Sequence, residues 1–130
     1  MTCDLNGVSR EIIGAAIEVH RELGPGLLES AYEACLSYEF ARRHLAIERQ
    51  KALPLTYRGT EMGCGYRVDF LVERAIIVEV KSVERFEPVH LAQVISYLKL
   101  SGCTLGLLFN FNVKWLVGQG FKRVVHGFSE

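Results

Sequence analysis

The run Val68-Asp69-Phe70-Leu71-Val72-Glu73-Arg74-Ala75-Ile76-Ile77-Val78-Glu79-Val80-Lys81 decides how the rest of the chain is read. Two segments rich in Val, Ile, Leu and Phe flank the charged step Glu73-Arg74-Ala75. Each is too short for a helix of ordinary length, so the pattern predicts a β-hairpin. Strand side chains alternate between faces, which puts Glu79 and Lys81 on one side and Val78 and Val80 on the other. A three-residue loop pairs Val72 with Ile76 and therefore Asp69 with Glu79. Directly opposed residues hold their Cβ atoms roughly 4.5–5.5 Å apart. A two-residue loop would send Asp69 to the far face, so the shared face requires an odd loop.

Two carboxylates at that separation resist joint ionisation unless a cation lies between them. Oxygen-only donors suit Mg²⁺ or Mn²⁺, and Mg²⁺ is commonly held by one or two carboxylates with several waters retained. A lysine two residues on can orient or help deprotonate an attacking water, or stabilise negative charge on a phosphate. The competing explanation is an acid–lysine pair on a half-exposed hairpin, an arrangement that contributes little to stability. Spacing alone does not separate the two.

At 130 residues the chain is expected to form one domain, residues 1–130, with a substantial core. Fifteen Lys and Arg balance fifteen Asp and Glu, so there is no overall electrostatic footprint for tight nonspecific nucleic-acid binding. Nucleic-acid contacts would have to come from local clusters such as Arg42, Arg43, His44, Arg49 and Lys51, or Lys114, Lys122 and Arg123. Both clusters read more readily as ordinary solvated faces. The first ten residues lack a basic segment leading into a long apolar run, and no stretch approaches about 18 apolar residues, so a cytoplasmic protein is expected. Cys3, Cys35, Cys64 and Cys103 are widely spaced and read as reduced thiols.

Along the chain, Ile12, Ile13, Ala16, Ile17, Val19 and Leu23 recur at helical spacing over about residues 9–23, and Gly24-Pro25-Gly26 stops that helix. A second helix is expected over 27–44, with Leu28, Ala31, Tyr32, Cys35, Leu36 and Phe40 facing inward. Residues 47–57 read as a strand that Pro54 confines to an edge or breaks. Arg58-Gly59-Thr60 is a turn, and a strand starting near Met62 leads into the hairpin. Past Glu87-Pro88 a third helix runs to about Leu100 and ends at Gly102. Leu91, Val94, Ile95 and Leu98 form its apolar stripe, with His90, Gln93 and Tyr97 beside it. Strands are expected over 105–109 and 123–126. The order ααβββαββ argues for a mixed sheet flanked by helices. Trp115, Phe121 and Phe128 read as core or edge packing before interface.

Other residues could complete a site around the acidic hairpin. Glu29 lies in the first turn of the second helix, where the helix dipole alone would favour it, and Tyr32 and Glu33 sit beside it. The tight Gly24-Pro25-Gly26 entry would fix its position. Gln93 and Tyr97 could orient a phosphate or a water from the third helix, with His90 a weaker candidate on the same side. His20, His44 and His126 have no partners at ligand spacing.

The stretch Gly26-Leu27-Leu28-Glu29-Ser30-Ala31-Tyr32 resembles the signature of the GxxExxY family, a branch of the PD-(D/E)XK nuclease superfamily. The resemblance extends from the Ile12-Ile13-Gly14-Ala15-Ala16-Ile17-Glu18-Val19-His20 helix through Gly65-Tyr66-Arg67-Val68-Asp69 and Glu79-Val80-Lys81 to Asn110-Phe111-Asn112. It implies a restriction-endonuclease-like α/β core, a central mixed β-sheet with α-helices on both sides. By position Asp69 and Glu79 correspond to the two acids and Lys81 to the lysine, while Val68 replaces the proline of the literal motif. Glu29 matches a helix glutamate of many members. Gln93-Val94-Ile95-Ser96-Tyr97 resembles the Q-x-x-x-Y helix motif of recombination-type exonucleases.

The resemblance implies a Mg²⁺- or Mn²⁺-dependent nuclease acting on DNA before RNA. Asp69, Glu79 and the Val80 carbonyl would hold the ion, with Glu29 an additional donor. Lys81 would position the attacking water, Glu29 and Gln93 would assist, and Tyr32, Tyr97 and His90 would support them. The alternative is a catalytically silent module that keeps the fold and acts as a homodimer or complex subunit. Neutral charge and small size favour that alternative, whereas retention of both acids and the lysine favours the hydrolase.

Overall fold

The computed structural model describes residues 4–127; Cys3 and Phe128 lie outside them. Helix α1 (Leu5–Leu23) starts earlier than its apolar spacing suggests, because Asp4 accepts a hydrogen bond from the Gly7 amide at 3.1 Å and caps it. It stops where Gly24 turns to φ 66°. Helix α2 (Glu29–Arg42) follows, then strands β1 (Ile47–Tyr57), β2 (Thr60–Val72) and β3 (Ile76–Lys81). Helix α3 (Pro88–Ser101) begins with a capping box between Glu87 and His90 and ends at Gly102, in the left-handed region at φ 78°. Strand β4 (Leu105–Asn110), a short turn α4 (Leu116–Gln119) and strand β5 (Phe121–Val125) complete the order. The α4 turn has no apolar period to announce it, and Val117 and Gly118 leave helical geometry within it. Strand β5 begins two residues before the expected position, where Phe121 pairs with Phe109.

The five strands lie in sequence order, β1-β2-β3-β4-β5. Among the described residues only β3 and β4 run parallel, joined by the α3 crossover, so the sheet is mixed and helix-flanked as the element order predicts. Helices α1 and α2 cover one face, packing Ile12, Ala16, Tyr32, Leu36 and Phe40 against Phe70, Val78, Val80, Leu107 and Phe109. Helix α3 covers the other, packing Val94 and Leu98 with Leu71, Ile77 and Leu108. Central strands β3 and β4 are buried on both faces, which is why they read as near-continuous apolar runs. Strand β1 is an edge, and its register against β2 shifts between Pro54 and Thr56, at the proline expected to break it. Phe121 packs on Phe109 with ring centroids 5.7 Å apart. Trp115 differs from its expectation: it is 63 % exposed.

Helix α3 is seated on β4 through the absence of one side chain. A Cβ on Gly106 would lie 2.6 Å from Cγ1 of Val94, well inside van der Waals contact. Gly106→Ala is therefore expected to lower stability by about 1–3 kcal/mol in urea unfolding, by forcing α3 off the sheet. The same change should cost markedly less in a Val94→Ala background. Equal costs in both backgrounds would show that the close contact is not what limits packing here.

Candidate active site

The hairpin loop Glu73-Arg74-Ala75 is odd, with Glu73 and Arg74 at φ 53° and Val72 paired to Ile76. The ladder continues through Leu71–Ile77 and Phe70–Val78. At the next position, where Asp69 faces Glu79, side chains replace backbone partners. The Asp69 amide donates to Oε2 of Glu79 at 2.7 Å, and the Val80 amide donates to Oδ2 of Asp69 at 2.7 Å. Each acid thus bonds the other strand's backbone, and β2 and β3 part. In an extended strand a residue's N–H and C=O point to the same side, and those of the next residue to the other. The Val80 amide faces β2 while the Lys81 carbonyl accepts from Phe111, so the Val80 carbonyl opens into the gap beside the two acids.

Side-chain alternation also breaks at this point. Phe70 packs with the α1/α2 face, yet Val68, two residues away, packs with the α3 face. Opposite Asp69 on β1, Gln50 adopts φ 52°, a conformation a non-glycine residue holds only when its surroundings impose it. Its amide nitrogen donates to Oδ1 of Asp69 at 3.1 Å and to Oε1 of Glu33 at 2.8 Å, and Arg49 donates to the same Glu33 oxygen at 3.0 Å. A polar chain from Arg49 through Glu33 and Gln50 therefore reaches Asp69. Sequence spacing notes Glu33 only as a neighbour of Glu29, and gives no signal for Gln50.

The remaining candidates distribute around this centre. Glu29 accepts from the Ser82 amide at 3.1 Å, and the Ser82 hydroxyl donates to the Leu27 carbonyl at 2.7 Å, so the start of α2 is tied to the residue after Lys81. Tyr32 is fully buried and stacks on Phe111; its hydroxyl donates to the Gly24 carbonyl and accepts from the Leu27 amide. It acts as a brace for the Gly24-Pro25-Gly26 entry that places Glu29. Asn110 holds the chain beyond Lys81 by accepting from the Val83 amide and donating to its carbonyl. Tyr97 lies close enough to Glu79 and Asp69 to feel their charge, and Gln93 lines a cleft with it. His90 is occupied in the α3 cap, its Nδ1 accepting from the Glu87 amide. His20, the most enclosed histidine, bonds the Val113 carbonyl through Nε2 at 2.7 Å. The basic cluster is matched by acids: Arg42 with Glu39, Arg43 with Glu11, Arg49 with Glu33 and Lys51 with Glu48.

Burial, reinforced by the neighbouring Asp69 carboxylate, pushes Glu79 up to about 8, and burial also raises Asp69. Lys81 acts in the opposite sense on Glu79, favouring its charged form. At neutral pH the pair therefore retains a proton that a cation could replace. The donor chemistry fits a hard divalent ion: two carboxylates and the Val80 carbonyl, all oxygen. Among the described residues no three His, Cys, Asp or Glu side chains gather as a ligand set, so solvent would complete the coordination.

The weakened acidity of Glu79 has a direct consequence for stability. Between the ordinary glutamate value of 4.5 and about 8 the folded protein keeps a proton that the unfolded chain releases, so stability falls as pH rises through that window. Glu79→Gln, which stays neutral, should gain in melting temperature relative to the parent as pH is raised from 5 to 8 in chelator. A difference that does not change with pH would contradict this account.

No curated protein matches the chain significantly, and no solved structure does. The sequence model of the PD-(D/E)XK nuclease superfamily matches residues 6–124, a span that includes every element from α1 to β5 except the ends. The sheet topology agrees with the restriction-endonuclease-like core of that superfamily, and the chain belongs to the PD-(D/E)XK nuclease superfamily.

Proposed function

We propose that this chain is a divalent-metal-dependent nuclease of the GxxExxY branch, hydrolysing phosphodiester bonds in nucleic acid, DNA ahead of RNA. The observation that carries this reading is the parting of β2 from β3 at Asp69 and Glu79. It leaves two acids and the Val80 carbonyl around one gap, with Lys81 following on the same strand. When bound, Mg²⁺ or Mn²⁺ would neutralise charge on the scissile phosphate and acidify an attacking water. Asp69, Glu79 and the Val80 carbonyl would hold it. Lys81 would orient the attacking water and offset charge developing on the phosphate. Glu29, bonded to the Ser82 amide, sits where it can steer water toward that edge. Gln93 and Tyr97 face the substrate from α3, and the likeness of their helix to recombination-type exonucleases favours DNA.

Metal binding to this centre must displace the proton of the Asp69–Glu79 pair. Mn²⁺ affinity, followed by the loss of the free-ion electron paramagnetic resonance signal, should therefore tighten by about tenfold per pH unit below pH 8 and level off above it. Asp69→Ala should abolish binding. Lys81→Ala should retain the ion yet lose at least about a hundredfold in cleavage of labelled single- and double-stranded DNA. Failure of the parent to bind Mn²⁺ or cut any DNA or RNA would return the chain to the scaffold alternative.

A further inference from the structure

A cleft of about 510 Å³ lies between α3 and the β1–β2 arm, within the size range of small-ligand sites. Leu55 and Tyr66 from the arm and Val89, Gln93, Ser96 and Tyr97 from α3 line it. The rings of Tyr66 and Tyr97 are 5.9 Å apart and inclined at 50°, so they form two walls of one recess. Tyr97 is 7 % exposed and anchored in the core, whereas Tyr66 is 48 % exposed and presents its ring to solvent. Tyr66 lies three residues along β2 from Asp69, about 10 Å at the rise of a strand. The recess therefore lies on the α3 side of the sheet, within a nucleotide or two of the acid pair along β2.

The balance of charge gives such a recess a role in a nuclease. The chain has zero formal net charge, and Arg42, Arg43, Arg49, Lys51 and Arg85 each face a carboxylate partner. Counterion release at phosphates is therefore left to the other cations, Lys99 at the edge of this cleft among them. Aromatic stacking supplies binding without net charge, at about 1–3 kcal/mol for each base. A base can enter a recess of this kind only when it is out of its duplex stack. Gln93 and Ser96 offer hydrogen-bonding groups at the rim, while Leu55 and Val89 supply apolar walls suited to a flat ring.

We propose that this cleft is a nucleobase subsite, with Tyr66 as its stacking platform, and that it directs the protein to single-stranded nucleic acid. The inference rests on the nuclease reading and specifies its substrate. Binding of a fluorescein-labelled single-stranded oligodeoxynucleotide, in chelator and followed by anisotropy, tests it. Tyr66→Ala should weaken binding by about 5- to 150-fold, the span of one stacked base, and Tyr66→Trp should preserve it. An oligonucleotide made of abasic sites should bind parent and Tyr66→Ala equally and weakly, and duplex DNA should bind less well than single strand. Unchanged affinity in Tyr66→Ala, an equal loss on the abasic strand, or preference for duplex would overturn the subsite. If Mn²⁺ binding and cleavage persist alongside such a result, only the subsite fails. If the parent binds neither Mn²⁺ nor any oligonucleotide, both readings fail.

Discussion

Asp69 and Glu79 each accept a hydrogen bond from the backbone of the opposing strand, and this exchange is the constraint on which the rest of the site depends. A buried carboxylate is costly unless it is hydrogen-bonded, and two beside each other are costlier still. The amides of Asp69 and Val80 meet part of that cost, and they can do so only by leaving the β2–β3 ladder. The same bonds that make the acids tolerable therefore open the gap between the strands. Protonation of the pair, or a cation in its place, removes the remaining repulsion.

The surrounding fold keeps that gap from closing or drifting. Strand β3 is enclosed by helices on both faces and by β4 along its other edge, and Gly106 lets α3 approach closely. On the opposite side, Gln50 occupies a backbone conformation that costs roughly 1–2 kcal/mol for an ordinary residue and is offset by its bonds to Asp69 and Glu33. The start of α2 is fastened twice, through Tyr32 to Gly24 and Leu27 and through Ser82 to Glu29 and Leu27. Candidate site residues on separate elements are thus held by hydrogen bonds to backbone. Such bonds constrain a site more tightly than contacts between flexible surface side chains.

Most of the architecture was legible because its signals are local. Apolar period marks the three long helices, Gly24 and Gly102 mark two of their ends, and the three-residue loop, where Val72 pairs with Ile76, sets Asp69 opposite Glu79. Gln50 was not legible, and the reason is a bulge. From the turn at Tyr57 and Thr60, uninterrupted pairing would set Asp69 against Glu48; the shift between Pro54 and Thr56 moves Gln50 there instead. Gly65 accommodates the distortion, since a Cβ on it would lie 2.9 Å from the Leu53 carbonyl oxygen. His90 lies on α3 where its spacing puts it, and the helix cap engages its ring Nδ1, a contact that spacing does not announce.

A period or a loop length is enough to encode the order of elements, the two faces of the sheet, and the acids and lysine on neighbouring strands. These follow from the geometry of a helix turn and a strand pleat, which act over a few residues. Tertiary structure alone decided that the acids bond opposing backbone, that the Val80 carbonyl opens into their gap, that Gln50 and Glu33 complete the polar chain, and that Tyr66 and Tyr97 share one recess. Those outcomes depend on register, burial and close approach between segments distant in the chain, and no short stretch of residues carries that information.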